Sequence, residues 1–254
     1  MYTFIAGANL LLFSDMCKYT RVFSKNICSI QKKVVPLRPF MAKQPGILVP
    51  EGCTEVLLHA CCAPCSSAIV EWLLAHEIKP TIYYFNPNIY PLEEYEIRKN
   101  ESKRHAESLG IQWIDGDRFR TGASQQNCYH EAHAEWRQAV CGLENEPERG
   151  KRCEACFYHR LFYTARLAQE MDIPYFATTL ASSRWKNLDQ VNAAGLKAAE
   201  MVNKYPKDSI VHEPVTFWAQ NWRKDGLQER RNQLLKEFGF YNQVYCGCEF
   251  SVRN

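Results

Sequence analysis

From Glu55 onward the chain alternates short apolar runs with longer stretches of helical periodicity. That rhythm limits the fold more than any other feature, because strand–helix alternation closes most readily into a parallel sheet. Glu55–Ala60 (EVLLHA) reads as a buried strand. Cys65–His76 carries apolar residues at helical spacing and follows Pro64, which suits a helix start. Pro80–Phe85 is a second strand, broken by Asn86-Pro87-Asn88. Pro91–Leu109 predicts a long charged helix ended by Gly110, and Gln112–Ile114 a short third strand. Residues 128–141 read as helix and 144–152 as a polar loop. Cys153–Met171 places Phe157, Leu161, Ala165 and Ala168 on one helical face, before a fourth strand at Pro174–Thr178. Asn187–Met201 and Asp225–Phe238 complete the helices, and the tail Tyr241–Phe250 is extended and broken by glycine. The expected class is α/β: a parallel sheet with helices on both faces, plus a helical C-terminal part. In such sheets ligands sit at the carboxyl ends of strands. The segment HACCAPC begins where the first strand ends, and ATTLASS follows the end of the fourth.

Residues 1–45 fall outside this rhythm. They hold seven of the 31 basic residues and one of the 28 acidic ones, which leaves 24 basic and 27 acidic residues in the body. The overall charge of +3 therefore conceals a slightly acidic body, and any nucleic-acid contact must come from a local patch. The extension reads as a leader or as the result of an upstream start, with Met41 opening an ordinary N-terminus. Residues 46–254 are expected to form a single catalytic domain. No run of 18 apolar residues occurs, so no membrane span is expected and the chain reads as cytoplasmic.

Twelve cysteines are too few for a disulfide-built scaffold of this length, but they cluster. The clusters are Cys61-Cys62-Ala63-Pro64-Cys65, Cys153-Glu154-Ala155-Cys156 and Cys246-Gly247-Cys248. Clustered thiols point to metal or redox chemistry. Two thiols three positions apart at a helix start can converge on one metal, and the helix N-terminus favours the thiolate. Both Cys62/Cys65 and Cys153/Cys156 meet that spacing. The adjacent pair Cys61-Cys62 suits a cubane better than one tetrahedral zinc, because neighbouring side chains diverge towards different metal atoms. Spacing alone leaves open whether Cys61 or Cys65 partners Cys62. It also leaves three readings of the tail: a strained redox disulfide, a further ligand pair, or a buried thiol pair. Cys17, Cys28, Cys53, Cys128 and Cys141 are solitary and read as ordinary small apolar residues.

Five ordered blocks, LLHACCAPCS (57–66), FNPNIYPLEEYEIRKNES (85–102), ENEPERGKRCEACF (144–157), SSRWKN (182–187) and YCGCEFS (245–251), resemble the QueH-type epoxyqueuosine reductases. The resemblance runs from about residue 47 to the C-terminus. It implies reductive removal of the epoxide oxygen from epoxyqueuosine at the wobble position of tRNAs with a GUN anticodon, the aspartate, asparagine, histidine and tyrosine isoacceptors. This is the last step of queuosine synthesis. It implies a four-iron, four-sulfur cluster on Cys61, Cys62, Cys153 and Cys156, a redox-active disulfide between Cys246 and Cys248, an external electron donor and no cobalamin. Cys65 is then a non-ligand. The implied fold resembles the adenine-nucleotide hydrolase-like α/β class.

Around these cysteines, Asp117 is a candidate proton donor or ligand to an additional metal ion, and His59, at the end of the first strand, a candidate proton donor or partner of a cluster sulfur. Arg149, Lys151 and Arg152 precede the second cysteine pair and could bind tRNA phosphates, while Arg184 and Trp185 could stack on a splayed base. On the 91–109 helix, Arg98, Lys99, Lys103 and Arg104 could also bind phosphates, but mixed with Glu93, Glu94, Glu96 and Glu101 they read as a solvated face, and Trp218 and Trp222 read as either core or stacking platforms. Three rivals compete. An ATP-dependent tRNA thiolase needs a glycine- and serine-rich phosphate loop after the first strand, where HACCAPCS stands instead. A zinc-stabilised RNA-binding module and a thiol–disulfide exchange enzyme differ in metal content, zinc or none.

Overall fold

A computed structural model of the chain describes residues 46–117, 128–206 and 212–251. The N-terminal extension expected over 1–45 lies outside the described residues. Among these residues five parallel strands form one sheet: β1 (Glu55–His59), β2 (Lys79–Tyr84), β3 (Trp113–Asp115), β4 (Tyr175–Thr178) and β5 (Thr216–Phe217). Their order is β3-β2-β1-β4-β5. Among the described residues six α-helices accompany them: α1 (Ala63–Ala75), α2 (Leu92–Ser108), α3 (Cys128–Ala139), α4 (Lys151–Glu170), α5 (Leu188–Lys204) and α6 (Leu227–Glu237).

Strand β1 is central because its sequence can be buried on both faces. Val56, Leu57 and Leu58 are wholly inaccessible, as a strand covered by helices on both sides requires. The chain leaves β1 towards β2 and β3, then returns to lay β4 on β1's other edge, with His59 in register with both Tyr83 and Thr178. Helix α1 packs with α2 and α4 with α5, as expected when right-handed crossovers place the two pairs on opposite faces. Helix α6 packs on α1, held by Arg230, whose Nε and Nη2 donate to the two carboxylate oxygens of Glu71 at 2.6 and 2.8 Å. No described helix is long and apolar enough to cross a membrane.

The two-residue strand β5 is absent from the sequence reading, because a pair of residues after Glu213-Pro214 offers no periodicity to detect. Two helices begin two residues earlier than their patterns suggested, α1 at Ala63 and α4 at Lys151. Trp218 and Trp222 are core, not platforms. Both are buried against Trp72, with ring centroids 6.2 and 5.9 Å away, and the Trp218 indole donates to the Leu48 carbonyl at 3.0 Å.

Candidate metal centre and active site

The early start of α1 decides how its cysteines meet. Cys62 is the N-cap, in extended conformation, and Pro64 stands in the first turn. Cys65 is then the third helical residue, and an N-cap side chain naturally faces that position. Cys61 lies two residues past His59, the last residue of β1. The three sulfurs lie within 4.8 Å of one another, with Cys61 and Cys62 Sγ 3.7 Å apart. Thr179, just past β4, closes the other side: its hydroxyl accepts from the Cys61 N–H at 3.1 Å and lies 3.4 Å from the Cys61 sulfur. Strands β1 and β4 diverge in connection, so the thiols occupy the switch point where parallel sheets bind ligands.

The trio shares its protons unequally. Hydrogen bonds from Cys62 and Cys65 hold the Cys61 thiol well below its ordinary range. Burial pushes Cys62 up, and the interaction with Cys61 pushes Cys65 up to about 12. Such a set favours one thiolate before any cation arrives, and soft thiolates are the donors that zinc and iron–sulfur clusters take.

The second pair begins α4. Gly150 is the N-cap, Cys153 is the third residue, and Cys156 lies on the same face. The Arg149 N–H donates to the Cys153 sulfur at 3.3 Å. Burial raises both thiols; the Arg160 guanidinium opposes this at Cys156. Cys153 and Cys156 do not join the close trio, but Cys246 interacts electrostatically with both. Burial works against the Lys186 ammonium, yet Cys246, Cys61 and Cys65 together raise it, so one cation faces the strand-end and tail thiols at once. Cys248 packs with Trp136, Val140 and Cys156, and burial pushes its thiol up to about 12. All ten described cysteines are free thiols.

The polar frame beneath is closed. Both nitrogens of His59 are engaged, Nδ1 with the Thr178 hydroxyl at 2.8 Å and Nε2 with the Phe85 carbonyl at 3.1 Å. A carbonyl only accepts, so Nε2 carries the proton and Nδ1 accepts. Burial, reinforced by Arg160, lowers this ring to about 3, so the imidazole is uncharged at neutral pH and braces the strand end. Asn86 donates to the Ala60 carbonyl at 2.9 Å and accepts from Arg160, tying β1 to α4. Asp117 is fully buried and accepts from the Tyr95 hydroxyl. Tyr84, beside it, feels the charges of Asp117, Cys62 and Cys61 together.

Against this geometry, a family model described as epoxyqueuosine reductase QueH matches residues 56–254. The chain belongs to the QueH family of epoxyqueuosine reductases. Curated relatives of that name include the Histophilus somni protein, 43% identical over 216 residues, covering 85% of this chain and 79% of the relative. The Haemophilus influenzae protein is 42% identical over 219 residues, covering 86% and 79%. The Thermotoga maritima protein is 33% identical over 197 residues, covering 78% and 90%. The chain is thus an oxidoreductase, an epoxyqueuosine reductase serving tRNA wobble-position modification.

The structure separates the basic residues of this family member. Arg152, expected among the phosphate contacts, is buried; its guanidinium donates to the carbonyls of Glu144, at 2.6 Å, and Glu146, and lies over the Phe250 ring. Arg149, Lys151, Arg184 and Trp185 are exposed. Arg149 donates to the carbonyls of Trp185 and Arg184 at 2.9 and 3.3 Å, and Arg223 to those of Ser183 and Lys186 at 2.6 and 2.8 Å. Two guanidinium groups therefore brace a loop whose tip is Trp185, 66% exposed, with Arg184 over its ring. Sequence reading missed Thr179 and Gln243, whose Nε2 donates to the Cys62 sulfur at 2.6 Å. Thr179 stood in a strand-end segment already singled out; nothing local marked Gln243.

Proposed function

We propose that this chain removes the epoxide oxygen of epoxyqueuosine at the tRNA wobble position using a four-iron, four-sulfur cluster on Cys61, Cys62, Cys153 and Cys156. The reaction takes up two electrons and two protons and releases an alkene and water. The carrying observation is the meeting of the strand-end thiols with Thr179 at the switch point. The donor chemistry suits such a cluster: soft sulfur donors, two of them at a helix start, packed against the apolar core. When bound, the cluster supplies single electrons. The strand order also supports the adenine-nucleotide hydrolase-like class.

The chain's own residues supply the rest. Cys246 and Cys248, on closing to a disulfide, release two electrons and two protons, matching the stoichiometry; an external donor then reopens the pair. Lys186 holds a positive charge where negative charge gathers on the thiols. Asp117, with Tyr95 as its donor, is the candidate acid or the ligand of an additional metal ion. Trp185, braced by Arg149 and Arg223, offers a face on which an unstacked anticodon base can stack, with Arg184 and Lys151 beside it for phosphates. We assign the tRNAs with a GUN anticodon, in the cytoplasm, as substrates.

One observation favours a second ligand set. The Cys65 sulfur lies within 4.8 Å of those of Cys61 and Cys62, so three thiols from one segment could take a metal without α4. The test is anaerobic reconstitution with iron and sulfide, then incubation of the reduced protein with epoxyqueuosine-containing tRNA and analysis of its nucleosides. Iron and sulfide uptake with conversion to queuosine is expected. Uptake of zinc alone, or a loaded and reduced protein that leaves epoxyqueuosine intact, rejects the proposal.

A further inference from the structure

The tail from Tyr241 to Cys248 has no regular secondary structure beyond one bridge between Cys248 and Ile89, yet it is tied down along its length. The ties come largely from one face of α2. Glu94, Arg98 and Glu101 stand at i, i+4 and i+7, so they line one stripe of that helix. The Tyr241 N–H donates to Glu101 Oε1 at 2.6 Å, and its hydroxyl to Glu94 Oε2 at 2.8 Å. Arg98 Nη1 donates to the Cys246 carbonyl and Nη2 to the Tyr245 carbonyl, each at 3.2 Å, with the Tyr245 ring 5.3 Å from the guanidinium carbon. Glu94 in turn receives Arg98 Nε at 2.7 Å.

Arg98 is 3% exposed and Glu94 8%. A buried ion pair is a poor source of stability, since desolvation offsets most of the attraction. This pair spends its donors on two consecutive carbonyls next to a cysteine, a task that needs a planar fork and not a hydrophobic filler. We propose that Arg98, aligned by Glu94, is a positioning residue that latches the Cys246–Cys248 loop against the strand-end cysteine site. On the far side the same tail reaches that site directly, through the Gln243 bond to Cys62. The Tyr90 N–H adds a bond to the Gly247 carbonyl at 2.8 Å. The importance of the latch for turnover rests on the reading of the tail thiols as the redox pair.

The test uses the full chain, reconstituted with iron and sulfide, its tail reduced. Alkylation of Cys246 is measured by mass spectrometry relative to exposed Cys141, in the unaltered protein, Arg98→Gln and Tyr241→Phe. Loss of charge-assisted bonds to the backbone should raise the Cys246/Cys141 ratio about tenfold or more in Arg98→Gln. Tyr241→Phe should raise it by a smaller factor. Turnover should fall through kcat, with KM for tRNA and iron content unchanged. An unchanged ratio in folded Arg98→Gln overturns the latch. Should that variant fail to fold, Tyr241→Phe decides: a raised ratio supports the latch and an unchanged one overturns it. Full activity of Cys248→Ser would instead sink the redox reading, and the alkylation result, which needs no turnover, would still stand or fall alone.

Discussion

The strand-end thiols and the tail thiols are built by different physics. Cys61, Cys62 and Cys65 are placed by the backbone itself: a strand stops, a helix begins, and N-cap geometry turns the sulfurs together. Cys246 and Cys248 have no such frame. Side chains of α2 and main-chain bonds from the loop after β2 hold them, across some 150 residues of sequence. The first arrangement is rigid because it shares the sheet's core. The second can loosen without unfolding the sheet, which suits the redox role proposed for the pair.

Single substitutions should divide the two regions most sharply. Cys62→Ser removes a donor at the centre of the trio; reconstituted protein should lose most of its iron and all measurable conversion of epoxyqueuosine. Cys248→Ser should keep iron near the unaltered level, while conversion in the absence of excess reductant falls steeply. Cys65→Ser decides between the ligand sets: retained iron supports Cys153 and Cys156 as ligands, whereas iron loss equal to that of Cys62→Ser assigns the site to the trio. Iron and sulfide analysis beside nucleoside analysis reads all three. Equal iron loss in Cys62→Ser and Cys248→Ser would erase the distinction between the regions.

This division also explains what the sequence could show. The β1–α1 junction and the α4 start were legible to within two residues because strand ends, Pro64 and the three-residue cysteine spacing are local signals. The tail's anchorage was not. Glu94, Arg98 and Glu101 look like a solvated charged face, and only the returning tail, far along the chain, covers them, burying Glu94 and Arg98. Arg152 misled for the same reason: a basic run beside a metal-type motif suggests phosphate, while its real partners are carbonyls of its own loop. His59 is opaque from sequence because its fate depends on Thr178, 119 residues away.

Gly247 offers a milder way to disturb the tail alone. Its φ of +97° is costly for any L side chain, and a β-carbon there would come 2.8 Å from Ile89 Cγ1 and 3.0 Å from Arg98 Nη1. Gly247→Ala should destabilise the tail's docked state by about 1–3 kcal/mol, the usual cost of such strain. Hydrogen exchange should rise in residues 241–251 and stay unchanged in β1 and α1. Equal acceleration in both regions would show that the tail is part of the same cooperative unit as the sheet.

The most diffuse effect is a pH dependence to which each region contributes one histidine. His59 braces the strand end and burial lowers it to about 3; His105, on the helix that holds the tail, is lowered to about 4 by burial and Arg104. His105 lies edge-on to Phe238 and Phe240, each centroid 5.2 Å away, at the root of the tail. Both folded values lie below the unfolded value, so on acidification the unfolded chain takes up these protons first. Their contribution is therefore complete above about pH 6.5 and is lost as pH falls from there towards 4, by up to about 1.4 kcal/mol per pH unit for each ring. Denaturant midpoints between pH 7 and 5 should fall accordingly. His105→Gln should flatten part of that slope and make tail hydrogen exchange less sensitive to acid, leaving the share due to His59. An unaltered slope in His105→Gln would mean that this ring is free to protonate in the folded protein, and that the root of the tail is open to water.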